Sequence, residues 1–178
     1  MKILCLDLAK QTGWAAVSDG GRIKSGHIKF EEMEFRDLAT AFWSWLNDLI
    51  NEHEPVLVVY EAPVVKHPHA TKILVGLAWT TILACGLKGI ECIPITNTKI
   101  KKHFVGRVYG KKEEPYPGIV EAKKRGWSPR STDEADALAI LSYSLHTYAH
   151  QSGSRATPAR RPAKPTRRSR RGRRPPES

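Results

Sequence analysis

Four acids interrupt apolar stretches of this 178-residue chain in a pattern that invites chemistry. Asp7 lies inside Ile3-Leu4-Cys5-Leu6-Asp7-Leu8, a run that reads as a buried strand. A carboxylate there is costly unless it is paired or coordinates a cation. Glu61 follows Val56-Leu57-Val58-Val59-Tyr60 and precedes Ala62-Pro63, so it stands at the C-terminal end of a second apolar strand. Asp133 and Asp136, three residues apart, share one face of a helix, the second among Ala135, Ala137 and Leu138. If the two strands are neighbours, these carboxylates converge, and they repel one another unless divalent cations neutralise them. Oxygen ligands without Cys or His partners select Mg²⁺ or Mn²⁺ over zinc. Two such ions about 4 Å apart serve in-line phosphodiester hydrolysis, one activating water and the other stabilising the leaving 3′ oxygen.

The elements that must position these acids can be read along the chain. Residues 3–8 form a strand, Lys10-Gln11-Thr12-Gly13 a turn, and residues 14–18 and 22–30 two more strands around the hairpin signal Asp19-Gly20-Gly21. Phe35, Leu38, Phe42, Trp45, Leu46 and Leu49 fall at helical spacing within residues 31–52. Residues 56–60 read as a central strand covered on both sides. A helix over 70–86 is unusually small-sided, with Gly76, Ala78, Ala84 and Gly86, which suits close packing on the sheet or on a partner subunit. A fifth strand over 89–96, a short helix over 99–104, and a polar stretch with Gly106, Gly110, Pro115 and Pro117 come next. The last helix, 133–149, is announced by Ser131 and Glu134 as a capping box. Asp133, in its first turn, also stands where an acid favours a helix start. This order is an α/β fold, a mixed five-stranded sheet (three antiparallel strands, then two parallel) with helices on both faces.

Charge is uneven. Of a net +11, residues 151–178 carry ten Lys/Arg against the single acid Glu177. That tail, rich in Pro, Ser and Arg and without periodic apolar residues, is expected to be disordered and to act as an electrostatic arm for nucleic acid through residues such as Arg167 and Arg168. Residues 1–150 form the one folded domain. A second basic stretch, with Lys99, Lys101, Lys102, Arg107, Lys111 and Lys112 interleaved with His103, Phe104 and Tyr109, is suited to phosphate contacts, its aromatics to stacking on unpaired bases. His67 and His69 are read as DNA-facing or plain loop residues. Cys5, Cys85 and Cys92 have no zinc or redox spacing and read as core residues of a reduced, cytoplasmic protein. No signal peptide is evident, and no uninterrupted apolar run approaches the ~18 residues that span a bilayer, so no membrane partner is expected.

Three segments in order over residues 1–148 carry a resemblance: Asp7-Leu8-Ala9-Lys10-Gln11-Thr12-Gly13-Trp14-Ala15, Val58-Val59-Tyr60-Glu61-Ala62-Pro63, and Asp133-Glu134-Ala135-Asp136-Ala137-Leu138-Ala139-Ile140. They resemble the acidic motifs of RuvC-type Holliday junction resolvases, within the RNase H-like fold, and are most similar to the short bacteriophage members. The resemblance implies a homodimer that nicks symmetric strands of a four-way DNA junction, in the host cytoplasm if phage-encoded. It implies Mg²⁺ or Mn²⁺ held by Asp7, Glu61, Asp133 and Asp136, with no small-molecule cofactor. It also implies a lysine reaching the scissile phosphate, Lys111 or Lys112, of which Lys112 is preferred. Leu8-Ala9 stands where bacterial members carry Pro-Gly, and phage-type relatives can cut several branched DNAs. An RNase H-type nuclease on RNA–DNA hybrids would use the same fold and acids. A non-catalytic DNA-binding module would explain the basic stretches but not four acids so placed. A two-domain ATPase of related fold would need more chain than ~150 folded residues supply.

Overall fold

The structure is a computed structural model in which residues 1–30, 34–64 and 68–148 are described. The basic tail with Arg167 and Arg168, His67, and the side chain of His69 lie outside the described residues. The chain runs β1 (Ile3–Asp7), β2 (Gln11–Val17), β3 (Ile23–Lys29), α1 (Phe35–His53), β4 (Leu57–Glu61), α2 (Pro68–Lys88), β5 (Glu91–Ile95), α3 (Asn97–Val105), α4 (Pro117–Lys124) and α5 (Thr132–Tyr148). The sheet order is β3-β2-β1-β4-β5. β1 pairs antiparallel with β2 and parallel with β4, β2 pairs antiparallel with β3, and β5 lies parallel beyond β4. The mixed five-stranded sheet is thus as the strand patterns anticipate.

β1 and β4 are apolar on both faces because both faces are covered. Leu4, Leu6, Val58 and Tyr60 pack with Phe42 and Leu46 of α1 and Leu77 of α2. Ile3, Cys5, Leu57 and Val59 pack with Ile100 and Phe104 of α3 and Ala137, Leu138 and Leu141 of α5. Each such Leu, Ile or Phe contributes about 1.5–3 kcal/mol by burial. The alanines at 135, 137 and 139 are all fully buried and let α5 lie close on the sheet. Gly13 of β2 shows how close: a Cβ built there would meet the Asp133 carbonyl oxygen at 1.9 Å. Here strand and helix backbones touch, and only glycine fits.

Two sequence expectations are corrected. The turn after β1 is not residues 10–13. The Thr12 hydroxyl donates to the Ala9 carbonyl at 2.6 Å, closing the turn over three residues, so β2 already begins at Gln11 and Gly13 pairs with Asp7. The polar stretch after α3 contains α4, which opens with Pro117 at its first position. Proline and glycine mark it as loop on composition, but a proline at a helix start is favourable.

α2 is apolar on nearly every side. Leu77, Ala78, Thr81, Ala84 and Cys85 face the core, while Trp79, Leu83 and Leu87 are 66%, 55% and 70% exposed. Its Ala70–Lys88 span is long and apolar enough to cross a membrane by length and composition, closer to that limit than the count of uninterrupted apolar residues allows. Its inner face is nevertheless part of the protein core.

Candidate active site

Strand periodicity brings the first two acids together. Residues 3, 5 and 7 of β1 and residues 57, 59 and 61 of β4 point to the α5 face, since side chains alternate along a strand. The parallel register pairs Leu6 with Tyr60, so Asp7 and Glu61 follow side by side where the two strands end. β2 passes Asp7 at Gly13, and the missing side chain there lets the first turn of α5 reach the same end of the sheet.

The three acids of that turn have three different surroundings. Asp133 is half-buried, with Lys111 Nζ 3.8 Å from its Oδ1. Glu134 is buried and structural: it accepts from Ser25 Oγ (2.8 Å) and the Arg130 N–H (2.9 Å), while its own N–H donates to Ser131 Oγ (3.1 Å). This is the anticipated cap, with the glutamate reaching one residue further back and also bracing β3. Asp136 is 5% exposed and accepts from the Tyr116 hydroxyl, 2.8 Å from both its oxygens. The Tyr109 hydroxyl stands 3.5 Å from its Oδ1.

Asp7 is 6% exposed, and its Oδ2 is buried without any hydrogen-bond partner. Burial pushes its carboxyl well above the usual carboxylate range; Asp136, Glu61 and Asp133 push the same way, and Lys111 pulls against them. Asp136 is raised to about 6 by burial, with the Tyr116 hydroxyl, Lys111 and Lys101 drawing it down and Glu61 adding to the rise. Lys111 loses hydration, which disfavours its charge, but attraction to Asp7, Asp136, Asp133 and Glu61 wins and holds it above the ordinary lysine value. Burial, reinforced by the Asp136 charge, raises both tyrosines, so their phenols stay protonated and donate. Glu61 accepts from Asn97 Nδ2 at 2.8 Å, from the first residue of α3.

A cavity of about 630 Å³ opens on this end of the sheet, bordered by Asp7, Glu61, Asn97, Tyr109 and Lys111, with aliphatic walls that include Leu8 and Val108. The donors present fit a hard divalent cation. Asp7, Glu61, Asp133 and Asp136 offer only oxygen, and the buried Asp7 Oδ2 lacks any proton donor, a vacancy a cation fills better than a hydrogen bond could. Among the described residues, no three acids, histidines or cysteines are already drawn to coordinating distance. The acids share one electrostatic neighbourhood rather than a closed cage.

The basic stretch divides. Of the two adjacent lysines, the one beside the carboxylates is Lys111; Lys112 is exposed and does not border the cavity. The loop decides this, because the Gly110 N–H donates to Glu113 Oε1 at 2.8 Å and Glu113 is held in turn by Arg107. Lys99, Lys102 and Arg107 are exposed. Lys101 is not a surface cation: it is buried, donates to the Tyr109 carbonyl at 2.8 Å and lies 4.3 Å over the Tyr109 ring. Nor are the aromatics open to a base, since Phe104 and Tyr109 are buried, Phe104 between Trp127 and Arg125. Asn97 and Tyr116 carry no signal in the sequence that points to this site.

No family model matches the chain. It is 28% identical over 140 residues to the crossover junction endodeoxyribonuclease RuvC of Nitrosomonas eutropha, covering 76% of this chain and 78% of that protein. The fold is similar to Thermus thermophilus RuvC in complex with Holliday junction substrate (TM-score 0.69, 15% identity, 85% of this chain and 96% of that one) and to the same protein in a second structure (0.66, 17%, 85% and 97%). The yeast mitochondrial Holliday junction resolvase Ydc2 follows at TM-score 0.57 and 12% identity, with 84% and 82% covered. Sheet order, helix placement and these likenesses define the class: this is an RNase H-like fold. The chain is similar to RuvC in sequence over 140 residues and in fold over most of its length.

Proposed function

We propose that this protein is a divalent-metal-dependent endonuclease that resolves four-way DNA junctions, and other branched DNA, by paired nicking. The observation that carries the reading is Asp7, a buried carboxylate with an unpartnered oxygen, side by side with Glu61 and facing Asp136 in a RuvC-like fold. Asp7, Glu61, Asp133 and Asp136 would hold Mg²⁺ or Mn²⁺, two ions per site. When bound, such ions lower the pKa of an attacking water and neutralise charge on the leaving 3′ oxygen. The protein's own groups do the rest. Lys111 faces the carboxylates from the open side of the cavity, where its ammonium balances the charge of an incoming phosphate. Lys99, Lys102 and Lys112 are exposed, and as phosphate contacts they would give affinity without reading sequence.

Paired nicks need two sites, and the second is supplied by a second copy of the chain. The exposed Trp79, Leu83 and Leu87 on α2 are the surface we assign to it, because an apolar helix face in a chain this charged is unfavourable in water. A protein with these properties works in the cytoplasm, on DNA.

The test is incubation with a four-way junction, a linear duplex and an RNA–DNA hybrid, in Mg²⁺, Mn²⁺ or EDTA. Symmetric nicks in the junction alone, only with metal, are expected from a protein that sediments as a dimer. Trp79→Glu should sediment as a monomer and lose the pairing of the nicks. Preferential cutting of the hybrid would replace the proposal with an RNase H-type activity. Absent cleavage with intact junction binding would leave a DNA-binding module, and cleavage in EDTA would overturn the metal-dependent mechanism.

The tail over residues 151–178 is proposed to be an electrostatic arm outside the nuclease domain, with Arg167 and Arg168 among its phosphate contacts. Deleting it should weaken junction binding and flatten the dependence of log Kd on log salt by about 0.9 for each phosphate the arm meets. Cleavage at saturating protein should be unaffected. An unchanged salt slope makes the tail a passenger.

A further inference from the structure

An acid serves a cation only if its carboxylate is held in place, and Asp136 is held by a residue from another element. The hydroxyl of Tyr116, the residue before α4, is 2.8 Å from both Asp136 oxygens. A single phenolic proton between two oxygens engages the inner edge of the carboxylate and leaves the outer lone pairs free. Tyr109 closes the side, its ring edge-on to Tyr116 at 5.4 Å between centroids. Room for both rings depends on Gly118, where a Cβ would come within 2.9 Å of Tyr109 Oη and of Tyr116 Cε1. Lys101, through the Tyr109 carbonyl and ring, fixes the loop from α3. A continuous chain of contacts thus runs from α3 through the two tyrosines to the first turns of α5. Its end point is one carboxylate.

We propose that Tyr116 is a positioning residue for cation capture: it holds the Asp136 carboxylate in one rotamer and thereby sets the affinity of the site for a divalent ion. The proposal rests on the metal-dependent function proposed above. Outer partners of metal-ligating carboxylates typically contribute 10–100-fold to affinity, and Tyr116 approaches both oxygens of its acid rather than one.

The experiment is direct Mn²⁺ binding to the full chain, read from the electron paramagnetic resonance signal of the free ion. It compares wild type, Tyr116→Phe, Asp136→Asn and the double variant. Phe keeps the ring packing against Tyr109 and Gly118, and melting in EDTA checks that each protein is folded at the assay temperature. Tyr116→Phe should weaken Mn²⁺ binding about 10- to 100-fold, shift the ion concentration for half-maximal cleavage in parallel, and leave junction affinity in EDTA unchanged. In the Asp136→Asn background the same change should alter Mn²⁺ binding less than about twofold, because the two residues act as a unit. Equal or tighter binding by Tyr116→Phe overturns the proposal, as does the same loss in the Asp136→Asn background. A wild-type protein that binds no Mn²⁺ overturns the metal-dependent function itself, and this proposal with it. Wild-type binding with an indifferent Tyr116→Phe overturns the proposal alone.

Discussion

Asp7→Asn should abolish junction cleavage and, in EDTA, make the protein more stable. Both effects come from the same atom. Asp7 Oδ2 is buried with no donor, and the carboxyl is pushed up by desolvation and by Asp136, Glu61 and Asp133. Folding without a cation therefore forces a carboxylate into a place that disfavours its charge. An amide of the same shape removes the charge and the repulsion and places N–H donors among the neighbouring acids, and hydrogen bonds to charged groups contribute about 1.5–3 kcal/mol. Relief of this order raises the melting point by about 2–4 °C per kcal/mol for a chain of this length. With Mg²⁺ the order reverses. Wild type gains stability by binding the ion, by RT ln(1 + [L]/Kd), while the variant, lacking an anionic ligand, gains little. Junction binding in EDTA should survive, since the phosphate-facing lysines are untouched. Melting curves with and without Mg²⁺, beside a cleavage assay, check this. An active variant, or one less stable than wild type in EDTA, would remove Asp7 from the centre of the site.

Gly13→Ala should be the most damaging single-methyl change in the domain. The added Cβ would lie 1.9 Å from the Asp133 carbonyl oxygen and 2.9 Å from the Glu134 nitrogen, both backbone atoms that cannot rotate away. Either β2 or α5 must move, and α5 carries two of the four acids. Overpacking of this kind costs about 3 kcal/mol or more, which corresponds to ~6–12 °C in melting point for a chain of this length. Cleavage should fall further than stability alone explains, because the displaced turn holds Asp133 and Asp136. A stepwise comparison with Gly20→Ala, at a hairpin position with nothing within 4 Å, isolates the packing effect. Equal melting points for the two variants would show that strand and helix are not in contact.

Sequence patterns reveal much of this arrangement because strand alternation and helix spacing are local. Asp7 and Glu61 reach one face by the two-residue period, and Asp133 and Asp136 share a face by helical spacing. Pairing of β1 with β4 completes the meeting, and that pairing is what apolar, doubly covered strands favour. The rest depends on contacts between segments that no period links. Lys101 reads as one basic residue among many until the Tyr109 loop folds over it. Lys111 and Lys112 are indistinguishable in composition, and the loop held by the Gly110–Glu113 bond and by Lys101 on Tyr109 sets Lys111 beside the acids. Tyr116 reaches Asp136 across 20 residues and a helix that proline and glycine conceal.

The shared alternation of β1 and β4 sets a length constraint as well as a chemical one. Removing or adding one residue within β1 would rotate every later side chain of the strand to the opposite surface. Asp7 would then stand among Phe42 and Leu46, and Leu6 or Leu8 would take its place beside Glu61. Drift in this protein can exchange side chains in these strands one at a time, but it cannot change their count. The catalytic end of the sheet is protected by number more strictly than by identity.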